Sequence, residues 1–313
     1  MKPRISVITP CFNEEDSVTE CVKRTAKVFE DFLPGIEYEH IFADNASTDR
    51  TFAVLSELAK VDPKIKIFVN SRNIGPFRNM YRGMAKAQGD AIIPMLPADL
   101  QDPPEIIPDF YRLWEAGSLV VFGERTNRQE RIILRGLRGI YYRIVRRFAE
   151  GNIPINSGEF MLIDKSISDS ILALDDHYPY IRGLVAQSVD VSSSVKYRWE
   201  ERSKGKSKNN WLSLLDQAIN GFVSTSRVPA RLALIGGFAI SGLGLMAGIY
   251  SLVANLLRND NISAGIPTVI VALFLFGGLQ LFFLGLIGEY VLSIHSQVRK
   301  FPKVFDTKRI NFD

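Results

Sequence analysis

Along the first 125 residues, short apolar runs alternate with longer segments whose apolar residues recur at helical spacing. The runs are ISVITP, YEHIFAD, IKIFVN, AIIPML and LVVFGE; the segments between them are Ser17 to Phe32, Thr51 to Lys60, Gly75 to Gln88 and Pro104 to Glu115. Strands spaced by helices in this way predict βα repeats and a mainly parallel sheet buried on both faces. Ligands of such sheets bind beyond the carboxyl ends of the strands. That geometry singles out Asn13 and Glu14, Asp44, Asn73 and Gly75, Asp99, and Gly123.

The pattern changes after Arg231. Leu232 to Leu257 and Asn261 to Gly288 contain no Asp, Glu, Lys or Arg, and each exceeds the roughly 20 apolar residues that cross a bilayer. Two transmembrane helices, about 232–257 and 264–288 within residues 229–292, are therefore expected after a large domain at 1–210. Lys204, Lys206, Lys208, Arg227 and Arg231 precede the first span, and Arg299, Lys300, Lys303, Lys308 and Arg309 follow the second. By the positive-inside rule the large domain, both termini and a tail at 293–313 face the cytoplasm. Two further segments suit a membrane surface. Arg125 to Arg147, within an interfacial segment at 125–150, carries eight arginines among Ile, Leu and Tyr, and Trp211 to Val228 is a juxtamembrane amphipathic stretch. Arg125, Arg128 and Arg131 are the candidate contacts for a lipid phosphate.

The remaining composition narrows little. A net charge of +4 suits an anionic membrane or phosphate-bearing substrates. Nucleic acid is not expected, because the basic residues cluster beside the membrane rather than around aromatic stacking positions. Cys11 and Cys21, in a reducing compartment, predict neither a disulfide nor a zinc site.

Three short segments carry candidate chemistry. In Pro97-Ala98-Asp99-Leu100-Gln101-Asp102-Pro103-Pro104, Asp99 and Gln101 offer the hard oxygen ligands that Mg²⁺ or Mn²⁺ prefers when it also holds a diphosphate. Taken alone, an Asp before a Pro-started helix is more often a turn or cap residue, and the surrounding motifs reverse that balance. Arg202-Ser203-Lys204-Gly205-Lys206-Ser207-Lys208 can close over a diphosphate, or serve only as a basic linker. Glu159, in Asn156-Ser157-Gly158-Glu159-Phe160, lies between irregular polar stretches and is a candidate base or orienting carboxylate, or equally a solvated loop residue.

Together, SVITPCFNEED, ADNASTDRT, SRNIG, PADLQDPPE, NSGEFMLIDKS, RSKGKSK and a two-span tail ending in LIGEYV resemble the family 2 glycosyltransferases. Within that family they are most similar to the polyprenyl-phosphate group, which includes bactoprenol glucosyltransferases and dolichol-phosphate mannose synthases. The resemblance implies a GT-A, Rossmann-like α/β domain, Mg²⁺ or Mn²⁺, a nucleotide-sugar donor (UDP-linked in preference to GDP-linked) and an undecaprenyl-phosphate acceptor at a bacterial cell membrane. By position, Pro10, Phe12, Asn13, Glu14 and Asp44 would hold the nucleoside, and Asp99 and Gln101 the metal. Arg202, Ser207 and Lys208 would hold phosphate, and Glu159 would stand where the family has its catalytic aspartate. A homo-oligomer, a tetramer in some members, is implied as well. The chain departs from the family in having Pro97-Ala98-Asp99 for Asp-Ala-Asp, Asp44-Asn45-Ala46-Ser47 for Asp-Asp-Gly-Ser, Pro76 for a polar residue, and Glu159 for Asp. Those departures keep one alternative open, a noncatalytic membrane-anchored paralogue acting as a binding or scaffold subunit.

Overall fold

The structure is a computed structural model that describes residues 3–126, 156–176, 179–200, 266–299 and 304–312, together with part of 235–253. The expected repeats are present in order: β1 (Arg4–Cys11), α1 (Val18–Phe32), β2 (Glu37–Asp44), α2 (Thr51–Val61), β3 (Ile65–Asn70), α3 (Pro76–Met84) and β4 (Ala91–Ile93). A 3-10 turn at Pro104–Ile106 leads into α4 (Ile107–Glu115), and β5 is Val120–Thr126. The fourth strand stops three residues early because Pro94 has no N–H to donate to a ladder. In α1 the buried residues Val18, Cys21, Val22, Thr25, Val28 and Phe29 fall on one helical face. Pro34 and Gly35, the latter at φ 87°, turn the chain after it. Pro76, the departure noted above, opens α3, where a missing N–H costs nothing.

Five further elements complete the description: β6 (Ser157–Asp164), α5 (Lys165–Leu172), α6 (Ile181–Ser188), β7 (Ser193–Arg198) and β8 (Asp306–Ile310). The sheet order is β7-β5-β6-β4-β1-β2-β3-β8. Pairs β1–β2, β1–β4, β2–β3 and β5–β7 are parallel. The pairs β4–β6, β5–β6 and β3–β8 are antiparallel. The fifth expected strand thus does not extend the parallel set directly, since the reversed β6 is inserted between it and β4. Two apolar layers cover the sheet. Ile5, Val7, Phe42 and Ile67 pack with residues of α1, α2 and α4, while Ile8, Ile41 and Phe68 pack with Met80, Met84, Ile167 and Val185 on the other side. Each such fully buried side chain contributes about 1.5–3 kcal/mol, so alternate residues of β1 to β3 pin both faces.

Strand direction decides which residues can meet. Because β6 runs against β4 and β5, its first residues, Ser157 to Glu159, lie at the carboxyl-end rim of those strands. Glu159, expected between irregular polar stretches, is on this strand. Arg125, expected to begin an interfacial helix, lies instead in β5, whose last residues pair with β7. Arg128 and Arg131 lie outside the described residues, as do Arg202, Ser207 and Lys208.

The sheet and its helices form one unit that includes residues 300–313, and residues 222–299 form a second. The segment expected as a tail thus returns to the sheet, where β8 pairs with β3 from Ile67 to Asn70. Asp306 of β8 is buried and accepts from Arg82, Lys86 and Arg309. The second unit contains α7 (Ile266–Val298), about 50 Å long at 1.5 Å per residue. Its window Leu275–Leu292 has a mean hydropathy of 1.7 with none of it buried, so by length and composition α7 can cross a membrane. The first expected span is described only in part, as the shorter apolar helix Ile235–Gly244. A Cβ on Gly244 would stand 3.2 Å from the Phe276 ring, a close approach that the small residue permits.

Candidate active site

The first two motifs are joined loop to loop. Asn13, at φ 55°, takes a left-handed conformation that Asn tolerates. Its N–H donates to Ser47 Oγ at 2.9 Å, and its Oδ1 accepts the Thr48 N–H at 2.7 Å. The Glu14 N–H donates to Thr51 Oγ1 at 2.8 Å, and Glu15 accepts the Arg50 N–H at 2.9 Å. Pro10 lies opposite Ala43 and Cys11 opposite Asp44, so Pro10, Phe12, Asn13, Glu14 and Asp44 do come together at one rim. Asp44 is fully buried; its Oδ1 accepts the Ser47 N–H at 2.9 Å and its Oδ2 has no partner among the described residues. Burial raises the Asp44 carboxyl above the usual range, and the Ser47 hydrogen bonds oppose the shift without cancelling it. An N–H on a bound ligand would satisfy Oδ2.

Ala46 sits at φ 62°, the left-handed region that a glycine would occupy without strain. Asn45, the neighbouring departure, anchors an amide network instead. Its Oδ1 accepts from the Ile74 N–H at 3.0 Å and from Asn70 Nδ2 at 3.2 Å, and its own Nδ2 donates to Asn73 at 2.9 Å. Asn79 Nδ2 donates to the Ala43 carbonyl at 2.6 Å. These bonds hold the SRNIG loop against the end of β2.

After β4, Leu100 at φ 58° turns the chain between Asp99 and Gln101. Asp99 Oδ1 accepts the Gln101 N–H at 3.2 Å, and both side chains are half-buried. No group of three His, Cys, Asp or Glu side chains suited to a metal occurs among the described residues. One carboxylate and one amide oxygen fit a Mg²⁺-like ion that takes its other ligands from diphosphate and water. Three residues past Asp99, Asp102 is 1% exposed and accepts from Arg125 twice, at 2.8 and 2.6 Å. Burial lowers the Arg125 guanidinium, but the Asp102 carboxylate outweighs it and holds the group above its ordinary value. Sequence reasoning passed over Asp102, although it stands inside the same motif.

Glu159 Oε2 is buried and has no hydrogen-bond partner among the described residues, while Oε1 lies 4.0 Å from Arg182 Nε. Arg182, at the start of α6, also donates to the Ser157 carbonyl at 2.6 Å. No periodicity or motif marks Arg182 beforehand, because only the fold brings α6 beside β6. The chain leaves the described sheet at this same rim, where the Glu200 N–H donates to the Gln101 carbonyl at 3.0 Å. It comes back there too, with the Ser71 N–H donating to the Phe305 carbonyl at 3.0 Å.

The βα sheet thus carries two carboxylate-bearing loops, a half-buried Asp-x-Gln turn and an inserted reversed strand at one rim. The family pattern "Glycosyl transferase family 2" matches residues 6–172. The chain belongs to that family, and its α/β domain is of the GT-A type. It is 33% identical over 95% of its length to "Uncharacterized glycosyltransferase YkcC" of Bacillus subtilis, covering 91% of that protein. It is 29% identical to the "SfII prophage-derived bactoprenol glucosyl transferase" of Shigella flexneri, with 96% of each chain covered. Among solved structures, "Mannosyltransferase PcManGT from Pyrobaculum calidifontis in complex with GDP-Man and Mn2+" is 16% identical, with 96% of this chain and 89% of that one covered and a TM-score of 0.45.

Proposed function

We propose that this glycosyltransferase moves one sugar from a UDP-linked donor to undecaprenyl phosphate at the cytoplasmic face of the membrane, inverting the anomeric carbon. The observation that carries the reading is that Asp44, Asp99, Gln101 and Glu159 share one rim of the sheet, in a chain that also carries an apolar segment between residues 222 and 299. Both connections of that segment join one sheet, so any membrane crossings are even in number. That parity agrees with two spans and cytoplasmic termini. Relatives named for bactoprenol glucosyl transfer, matched over 96% of this chain, support the acceptor.

In this reading Asp44 and the Pro10 to Glu14 loop receive the nucleoside, and the Arg202, Ser207 and Lys208 loop receives phosphate. Asp99 and Gln101 would hold Mg²⁺ or Mn²⁺, which offsets the charge developing on the leaving diphosphate. Glu159 orients the acceptor. Its phosphate oxygen, largely ionised near neutral pH, attacks the anomeric carbon as the bond to the nucleoside diphosphate breaks, and little proton transfer is needed.

The test is to incubate the purified protein with undecaprenyl phosphate, Mg²⁺ or Mn²⁺ and a panel of UDP- and GDP-sugars, then search by mass spectrometry for a lipid gaining one sugar. A single new lipid-phosphosugar, absent in Asp99→Ala, is the expected result. Nucleotide binding without product from any donor would sink it and favour the scaffold subunit.

A further inference from the structure

Arg125 reaches across a strand. From β5 its side chain passes over Gly158 of β6 to the Asp102 carboxylate, and a Cβ on Gly158 would stand 2.8 Å from Nη2 and 2.9 Å from Cζ. Glycine at 158 therefore leaves the lane that the guanidinium occupies. Tyr197 of β7 donates its hydroxyl to the same Asp102 oxygen that Arg125 Nε reaches, and the Trp199 ring lies 5.5 Å from the guanidinium carbon. Arg125 is thus gripped on three sides, at 17% exposure. The geometry has a direct consequence. Asp102 is three residues past Asp99, and Gly158 immediately precedes Glu159, so one guanidinium spans the gap between the two candidate chemical segments.

We propose that Asp102 and Arg125 are positioning residues whose ion pair sets Glu159 in register with Asp99 and Gln101. The proposal rests on the functional reading above, in which Glu159 faces the acceptor and Asp99 the donor. A buried ion pair is weak as a source of stability, because desolvation offsets most of the attraction. Its bidentate fork is strong as a ruler, since two parallel bonds fix both distance and orientation. Lysine has the charge but not the fork. Neither Asp102 nor Arg125 has to touch the transferred sugar, and Gly158 acts only by keeping the crossing open.

Steady-state transfer by the full chain in lipid nanodiscs tests this, with Mn²⁺, undecaprenyl phosphate and UDP-glucose or whichever member of the panel the wild type uses. The variants are Asp102→Asn, Arg125→Lys and Gly158→Ala. The last leaves both charged groups in place and only obstructs the crossing, so it remains informative if Asp102→Asn does not fold. The expected result for each is a kcat lower by about 10- to 100-fold, the penalty of a displacement of ~1 Å at a reacting centre. The KM for undecaprenyl phosphate rises while the KM for the donor stays as in the wild type. Wild-type kinetics in Arg125→Lys and Gly158→Ala would overturn the proposal. So would a lower kcat with both KM values unchanged, which marks loss of folded enzyme, or a rise confined to the donor KM. A wild type that transfers nothing refutes the functional reading itself, and the positioning role with it.

Discussion

Acidification tests the core through His40. Its imidazole is 2% exposed between β1 and the α1 layer, 2.8 Å from Thr9 Oγ1 and 4.2 Å from the Phe42 ring centroid. Burial pushes it down from the ordinary 6.5 to about 3, so the folded protein keeps it neutral. The unfolded chain then binds the proton more readily. Stability is undisturbed well above pH 6.5 and is lost as pH falls below it, until the folded imidazole itself titrates. Between about pH 7.5 and pH 5 the loss is about 2 kcal/mol, and any folded value below about 4 gives nearly the same figure. For a domain of this size that is roughly a 4–8 °C fall in Tm. His40→Gln offers Thr9 a partner and does not titrate. Thermal unfolding of both proteins in detergent, at the two pH values, isolates the contribution, because Glu39, Asp44 and Asp306 titrate alike in each. Equal pH dependence in the two proteins would refute the reasoning.

Other consequences are equally direct. Ala46→Gly relieves a left-handed alanine and should raise stability by about 0.5–1 kcal/mol in thermal unfolding; a loss would show that the alanine methyl is needed for packing. Asp306→Ala leaves Arg82 and Lys86 half-buried beside no carboxylate and should cost about 2–3 kcal/mol, read by denaturant unfolding, whereas an unchanged midpoint would show that β8 is held by its ladder alone. Pro97→Asp adds a carboxylate two residues before Asp99 and should tighten Mn²⁺ activation of transfer several-fold; an unshifted Mn²⁺ titration would place residue 97 outside the metal's reach.

The strands and helices of the first 125 residues were legible because each repeats a simple period and ends at a turn residue. The later part of the sheet was not. SGEFMLID opens with Ser, Gly and Glu, and SSVKYR and DTKRI are short and polar, so only pairing with neighbours makes them strands. Asp99 and Gln101 stand out from their motif at the end of a strand, whereas Arg125 looked like one of eight interfacial arginines until β5 carried it past Gly158 to Asp102. Arg182 had no mark at all, since its nearness to Glu159 depends on how α6 packs on the sheet. The Asn45 substitution reads as a lost charge in the sequence and proves to be the centre of an amide network.

The return of β8 to β3 also sets an order of assembly. A ribosome makes residues 304–312 only after the entire apolar segment, so the nascent sheet keeps an open β3 edge until β8 is made. The Ser71 N–H waits that long for the Phe305 carbonyl, and the SRNIG loop remains unbraced with it. Completion of that rim is thereby tied to completed synthesis, so no chain whose apolar segment has yet to be made carries a finished sheet edge beside it.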